Sequence, residues 1–193
     1  MRNSVHLVGV SGSLRKYSLN TMLLNAALEL LPPDITMDII SFENIPLYNA
    51  DFDLPLAKQR PVEVEDFRKK IADADGLLIA SPEFNYSIPG GLKNAIDWAS
   101  RGKDAPLLQK PVAVIGATTG EWGTVRMQTA FHTVFLFLDM KPIYKPEVLV
   151  AKADKKFDKD GKLIDETTKE LLLQKIHGLK EMILLQTQFA ETD

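Results

Sequence analysis

The 193-residue sequence contains no cysteine. Disulfide bonds, thiolate nucleophiles, zinc–thiolate sites and dithiol redox motifs are therefore excluded for this chain. If the protein transfers electrons, a bound cofactor has to carry them, because no thiol is present to do so.

The sequence also lacks a strong charge bias and a long hydrophobic run. Its formal net charge is −3 and its pI is about 5.7, which argues against a general nucleic-acid binder, since such domains are normally basic. No apolar run approaches the roughly 20 residues that a membrane span needs. The short apolar run at residues 5–10 has no cleavage-site pattern behind it and predicts a first strand rather than a signal peptide. We therefore expect a cytoplasmic protein without a membrane span.

The length suits one domain with its own core and is short for two ordinary domains. A composition of 45% hydrophobic and 25% charged residues is typical of globular proteins. No internal repeat, low-complexity stretch or linker interrupts the chain. We expect a single domain over residues 1–193.

Short apolar segments alternate with longer amphipathic ones along the chain. The pattern predicts strands at residues 5–10, 36–42, 76–80, 112–117 and 142–151, and helices at residues 19–30, 61–74, 89–100, 124–138 and 166–189. The third and fourth strands are apolar on both faces, as expected for central parallel strands covered by helices on each side. Right-handed crossovers then favour an α/β three-layer sandwich with a five-stranded parallel sheet of flavodoxin-like order 2-1-3-4-5.

The segment that leaves the first strand, here called the first loop (residues 11–20), is rich in groups that suit a phosphate. It reads Ser-Gly-Ser-Leu-Arg-Lys-Tyr-Ser-Leu-Asn and offers hydroxyls, an amide, a fixed cation and the N–H groups of a helix start. The patterns GxxxxGK[ST] and GxGxxG are absent, so a monophosphate is the expected ligand. The alternative is an ordinary strand-to-helix turn in which Ser18 caps the helix.

The second loop (residues 81–91) follows the third strand and reads Ser-Pro-Glu-Phe-Asn-Tyr-Ser-Ile-Pro-Gly-Gly. Its two prolines stiffen it, and Phe84 and Tyr86 offer flat surfaces beside polar groups, which suits a planar heteroaromatic ring. The adjacent glycines allow a backbone or a ring to approach closely. The alternative is a rigid surface loop.

The third loop (residues 118–124) follows the fourth strand and reads Thr-Thr-Gly-Glu-Trp-Gly-Thr. Its hydroxyls suit ligand oxygens, and Trp122 either packs near a ring or contacts a partner. Ligands of open α/β sheets bind outside the carboxyl ends of the strands, near the switch point in strand order. A phosphate at the first loop and a flat ring between the second and third loops describe flavin mononucleotide (FMN).

Residues 12–20, 45–51 and 81–98 resemble the NADPH-dependent FMN reductase family, specifically its bacterial quinone and chromate reductase branch. The similarity runs from about residue 5 to residue 150. It implies an enzyme that transfers hydride from NADPH or NADH to FMN and then to quinones, flavins, azo dyes or chromate in a ping-pong cycle. It also implies a homodimer with FMN near the interface, in some members paired into a homotetramer.

The resemblance and the three loops together give a set of expected site residues. The cofactor-binding set is Ser11, Ser13, Leu14, Arg15, Ser18, Asn20, Pro82, Glu83, Phe84, Asn85, Tyr86, Ser87, Thr118 and Gly120. Substrate contacts are expected from Arg101, Tyr86 and Trp122, with a solvated helix-end charge as the alternative for Arg101. No side chain is expected to be catalytic, because the flavin carries the chemistry. For Glu83 we therefore expect a positioning or capping role.

One departure from the family lies in the third loop. Relatives often carry paired glycines followed closely by an arginine, whereas Glu121 and Trp122 stand here between Gly120 and Arg126. An acidic and a bulky side chain at the mouth of the site leave the choice of acceptor open.

Other readings are weaker or remain open. A flavodoxin-type electron carrier without its own turnover is the main alternative, although carriers are usually more acidic than −3. The three histidines are scattered without a carboxylate at ligand spacing, so we expect no metal site. Aspartates at residues 154–160 hint at a calcium loop, but Lys156 and Thr167 would occupy its first and last ligand positions. Asp160-Gly161 instead predicts a tight turn.

Overall fold

The computed structural model describes residues 4–190, with side chains described as far as residue 188. Its strands are β1 (Val5–Ser11), β2 (Ile35–Ile40), β3 (Gly76–Ala80), β4 (Pro111–Ala117) and β5 (Lys141–Val150). Its helices are α1 (Leu19–Glu29), α2 (Val62–Asp73), α3 (Gly90–Ala99), α4 (Val125–Phe137) and α5 (Glu166–Ala190). Two short 3₁₀ turns, Ala50–Phe52 and Ala153–Lys155, add to the predicted elements.

The five strands form one parallel sheet of order β2-β1-β3-β4-β5, which confirms the predicted flavodoxin-like topology. In the centre Val10 of β1 pairs with Ile79 of β3, and Ile79 pairs in turn with Val114 of β4. The order reverses between β1 and β3, so the carboxyl ends of these two strands flank the switch point.

Two hydrophobic cores lie on opposite faces of the sheet. Leu78 of β3 belongs to the core under α1 and α5, whereas Leu77 and Ile79 belong to the core under α2, α3 and α4. All five residues of β3 are buried. A strand covered on both faces needs apolar side chains at successive positions, which is the pattern the sequence shows.

Polar side chains accept backbone hydrogen bonds at the start of two helices. Ser18 is the N-cap of α1, and Asp165 accepts a hydrogen bond from the backbone N–H of Thr168 at 3.0 Å at the start of α5. The predicted turn before α5 is also present: Gly161 has a φ of +81°, and the Asp158 carboxylate accepts the N–H groups of Asp160 and Lys162.

The last strand is less regular than predicted. Ala113 pairs with Ile143 and Ile115 pairs with Val148, so the four residues 144–147 of β5 lie opposite Val114 alone. This bulge opens the edge of the sheet between β4 and β5. Within residues 4–190, no helix is both long enough and apolar enough to cross a membrane.

Candidate functional site

The three loops meet at the carboxyl edge of the sheet, beside the switch point. A Cβ atom added to Gly12 of the first loop would collide with the side chain of Ser81 in the second loop. A Cβ atom added to Gly116 would collide with the side chain of Thr124 in the third loop and with the Ser81 carbonyl. Glycine is needed at both positions because the three backbones approach so closely.

The first loop forms a turn in which three backbone N–H groups are unused. The N–H groups of Leu14, Lys16 and Tyr17 have no acceptor among the described residues. The Arg15 side chain is exposed and donates to the Tyr17 carbonyl at 3.1 Å. Free backbone donors next to a guanidinium and a helix N-terminus make an anion-binding cradle.

Two predicted phosphate ligands of the first loop are engaged in shaping it. The Ser11 hydroxyl contacts the Thr21 hydroxyl at 2.7 Å, and Ser18 Oγ accepts the N–H groups of Asn20 and Thr21 as the cap of α1. The structure therefore shows the alternative predicted for Ser18, which is the N-cap of α1. Thr21, which the sequence reasoning missed, holds Ser11 in place.

The predicted phosphate contact of Asn20 is not supported by the geometry. Asn20 is 3% exposed. Its Nδ2 donates to the Ala117 carbonyl at 2.9 Å, and its Oδ1 accepts the Ala117 N–H at 2.8 Å. Both ends of the amide are thus used to fasten α1 to the end of β4. The asparagine therefore fixes the spacing between the first and third loops.

The second loop contains a tight turn built on two left-handed residues. Phe84 and Ser87 exchange backbone hydrogen bonds at 3.1 and 2.9 Å, with Asn85 at φ +50° and Tyr86 at φ +63° between them. A left-handed tyrosine is strained by about 1–3 kcal/mol, and such residues concentrate at functional sites. The turn leaves the Tyr86 ring 69% exposed at the opening of the site.

Glu83 caps helix α4 from the second loop. Its Oε2 accepts the backbone N–H groups of Arg126 at 2.9 Å and Met127 at 3.1 Å. The residue at the helix start, Thr124, has a left-handed backbone at φ +71°, and its side chain makes no cap. The Glu83 carboxylate therefore provides the hydrogen-bond acceptor that Thr124 does not provide. A negative charge is favourable at this end of the helix dipole.

Arg126 ties the second and third loops together. Its guanidinium lies 4.1 Å from the Tyr86 ring centroid and 5.1 Å from the Trp122 ring centroid, and its Nη1 is 3.4 Å from Glu83 Oε1. We call Phe84, Tyr86 and Trp122 the aromatic wall, since all three rings are exposed beside the loops. The sequence analysis noted Arg126 only as a departure from the family and missed this role.

The third loop is held by its backbone. The carbonyls of Thr118 and Gly120 accept the N–H groups of Ala153 and Lys152, and Thr118 Oγ1 accepts the Gly120 N–H at 3.2 Å. In contrast, Thr124 Oγ1 is buried without a hydrogen-bond partner among the described residues. A buried hydroxyl without a partner beside the three loops is a polar group that a ligand can satisfy.

The structure does not bring Arg101 to the three loops of its own chain. Arg101 follows the C-terminal end of α3, about 15 Å along the helix from the end that borders the second loop. Its guanidinium lies 5.1 Å from the ring centroid of Tyr48. The expected contact of Arg101 with a substrate stays a prediction.

The donor set at the loops fits FMN. FMN carries one phosphate, and the first loop offers unused N–H groups and the Arg15 guanidinium for one anion. The second loop supplies a rigid edge of polar backbone beside the aromatic wall, which suits a planar ring. The unsatisfied Thr124 hydroxyl and the hydroxyls of Thr118 and Thr119 suit the ligand oxygen atoms between the phosphate and the ring.

Comparisons with known proteins agree with this geometry. The model of the family NADPH-dependent FMN reductase matches residues 5–155. An NAD(P)H-dependent FMN reductase of Pseudomonas aeruginosa is 43% identical over 180 residues, covering 93% of this chain and 96% of the relative. A quinone reductase of Escherichia coli is 37% identical over 185 residues, covering 95% and 97%.

A solved structure shares the fold as well. The flavoenzyme NAD(P)H:(acceptor) oxidoreductase FerB of Paracoccus denitrificans aligns with a TM-score of 0.82 at 29% identity, covering 93% of this chain and 97% of that one. The family model spans most of the chain, and the curated relatives are matched over nearly their full length. The chain therefore belongs to the NADPH-dependent FMN reductase family.

Proposed function

We propose that the chain is an FMN-dependent NAD(P)H oxidoreductase that reduces quinones, flavins or related acceptors by ping-pong hydride transfer. The observation that carries the proposal is the meeting of a donor-rich turn and the aromatic wall at the switch point of the sheet. When bound, FMN supplies the capacity to accept a hydride from NAD(P)H and to pass electrons to a second substrate. The name of the Escherichia coli relative, a quinone reductase, supports quinones as acceptors.

In this proposal the chain's own residues position the cofactor. Ser13, Leu14 and Arg15 hold the phosphate, while Ser11, Ser18 and Asn20 shape the turn that presents them. Residues 82–87 line the edge of the ring, and Thr118 and Gly120 border its other side. Glu83 and Arg126 keep the second and third loops at a fixed distance from each other.

Both substrates are expected to use one opening, because the aromatic wall leaves the site accessible beside Tyr86 and Trp122. The nicotinamide and the acceptor must then bind in turn. Initial rates of NAD(P)H oxidation with a quinone should give parallel double-reciprocal lines, with substrate competition at high concentration. Intersecting lines, which require both substrates bound together, would reject the shared opening. Chromate and azo compounds should be tested as further acceptors in the same assay.

The alternative is a flavodoxin-type electron carrier. The mild net charge of −3 offers little attraction for docking a redox partner and therefore favours the enzyme. The purified protein should be yellow and release FMN on heating, and it should consume NADH or NADPH with a quinone when no other reductase is added. FMN-loaded protein that needs a second reductase would support the carrier instead.

We also propose that the chain works as a homodimer or homotetramer in the cytoplasm, where NAD(P)H is supplied. The support is the outer face of α4, where Leu136 and Phe137 are exposed next to the half-buried Val134. Light scattering at micromolar concentration should give at least a dimer. Phe137→Glu should shift the protein toward the monomer, and a wild-type monomer at that concentration would contradict the proposal.

A further inference from the structure

A cavity that is distinct from the three-loop site lies beside the bulge of β5. It has a volume of about 250 Å³. Its walls come from α4, from β4 and from the bulge, and one residue of α5, Lys175, also lines it. The proposed flavin site uses no side chain of this cavity.

Lys175 is a buried cation. The residue is 2% exposed, and its Nζ donates to the carbonyls of Ile143 at 2.7 Å and Tyr144 at 3.1 Å. These two carbonyls border the bulge, where the normal pairing of β5 with β4 is lost. These hydrogen bonds use two of the three N–H groups of the ammonium, and both acceptors are uncharged.

No carboxylate of the described residues lies within 4 Å of Lys175 Nζ. The acid in the cavity lining, Glu147, is paired with Lys145 at 2.9 Å. Buried charges in proteins are normally paired, because an isolated ion loses its hydration without compensation. Burial lowers the pKa of the Lys175 amine to about 8, although the charge of Glu147 acts in the opposite direction.

The rest of the lining combines apolar residues with an equal number of residues that carry polar groups. Val112, Val114 and Phe135 contribute apolar surface, and the His132 and Tyr144 rings meet edge-on at a centroid distance of 4.9 Å. The volume corresponds to about eight molecules of liquid water, enough for one small ring with a substituent.

We propose that this cavity binds a small organic anion, a carboxylate with a compact aromatic or branched apolar body. The carboxylate lies against the Lys175 ammonium at the bulge, and the apolar body packs on Val112, Val114 and Phe135. The anion supplies a negative charge in direct contact with the ammonium, which no carboxylate of the described residues does. The site is separate from the proposed flavin site and does not depend on the function proposed for it.

The first test compares benzoate with its neutral analogue benzamide on the FMN-loaded protein. Methyl-labelled protein followed by NMR should show saturable benzoate shifts at the valine methyls of residues 112 and 114 and at Ile143. Because a charge-assisted contact is lost, benzamide should bind at least about tenfold more weakly. Equal affinity for the two probes would overturn the proposal, as would benzoate shifts confined to Leu14 and Ile88 of the flavin loops.

The second test removes the cation. Lys175→Met should weaken benzoate binding at least about tenfold and leave benzamide binding unchanged. Lys180→Met is the matched control, because Lys180 lies on the same helix but pairs with Asp34. Unchanged benzoate affinity in folded Lys175→Met would reject the assigned role. If that variant does not fold, the comparison of benzoate with benzamide on the wild-type protein decides alone.

Discussion

Replacing Glu83 with glutamine separates two roles that a carboxylate beside a flavin can have. In the structure the side chain is 13% exposed, and its Oε2 accepts the N–H groups of Arg126 and Met127. A capping hydrogen bond contributes about 0.5–2 kcal/mol, and the charge–dipole term in a partly buried site contributes up to about 2 kcal/mol. Glutamine keeps an accepting oxygen but loses the charge.

From these contacts we expect Glu83→Gln to lower the free energy of unfolding by about 1–2 kcal/mol. Glu83→Ala leaves two N–H groups without an acceptor and should cost about 2–4 kcal/mol. For a chain of this length the glutamine variant corresponds to a fall in Tm of about 2–8 °C. Urea denaturation of the apoprotein at fixed protein concentration measures the change directly, as a lower midpoint with an unchanged slope.

Glu121→Gln is the matched control for this experiment. Glu121 lies in the third loop, is exposed and pairs with Lys152 at 3.1 Å, so its replacement should change the free energy of unfolding by less than about 0.5 kcal/mol. With saturating FMN, Glu83→Gln should retain hydride transfer within about tenfold of the wild-type rate. The opposite pattern, unchanged stability with a loss of about a hundredfold in rate, would refute the capping role and point to proton transfer.

Three further predictions address other parts of the chain. Arg15→Ala should raise the Kd for FMN about ten- to a hundredfold without altering circular dichroism, while the control Lys103→Ala should leave both unchanged. Unchanged FMN affinity in Arg15→Ala would count against the phosphate contact. Asn20→Ala leaves the N–H and the carbonyl of Ala117 without these partners and should lower the free energy of unfolding, measured in urea, by about 2–4 kcal/mol. Weaker FMN binding with an unchanged free energy of unfolding would instead indicate a direct ligand contact. Burial lowers the pKa of Lys175 from 10.5 to about 8, so between these pH values the unfolded chain binds more protons at this amine and stability should rise with pH. Denaturation at a series of pH values should show a smaller rise in Lys175→Met, and equal slopes would contradict the assignment.

The sheet was predictable from the sequence because a strand buried on both faces has apolar residues at successive positions. Successive apolar residues in β3 and β4 can only be explained by helices on both sides, and the alternating order of elements then restricts the topology. The caps at Ser18 and Asp165 are similarly local, since each side chain bonds to backbone two or three residues ahead. Such contacts need no knowledge of the tertiary structure.

The parts that were missed depend on contacts between distant segments. Asn20 and Ala117 are 97 residues apart, and nothing near Asn20 distinguishes an amide that binds phosphate from one that fastens a strand. The substrate contact expected of Arg101 stays a prediction, and the length of α3 separates this residue from the second loop of its own chain. The bulge at residues 144–147 similarly depends on how β5 meets β4.

The left-handed backbone of Tyr86 in the second loop bears on the range of electron acceptors that we expect this site to bind. Glycine or asparagine would adopt the left-handed conformation of Tyr86 at lower cost. The loop nevertheless carries a tyrosine there, held by two backbone hydrogen bonds and by the Arg126 guanidinium at 4.1 Å. The contacts that stabilise the strained turn also fix the ring at the opening, so we expect a flat substrate to contact only the face that Arg126 leaves free. A fixed aromatic surface with few directed hydrogen bonds favours planar molecules as a class, because stacking is less selective than paired polar groups.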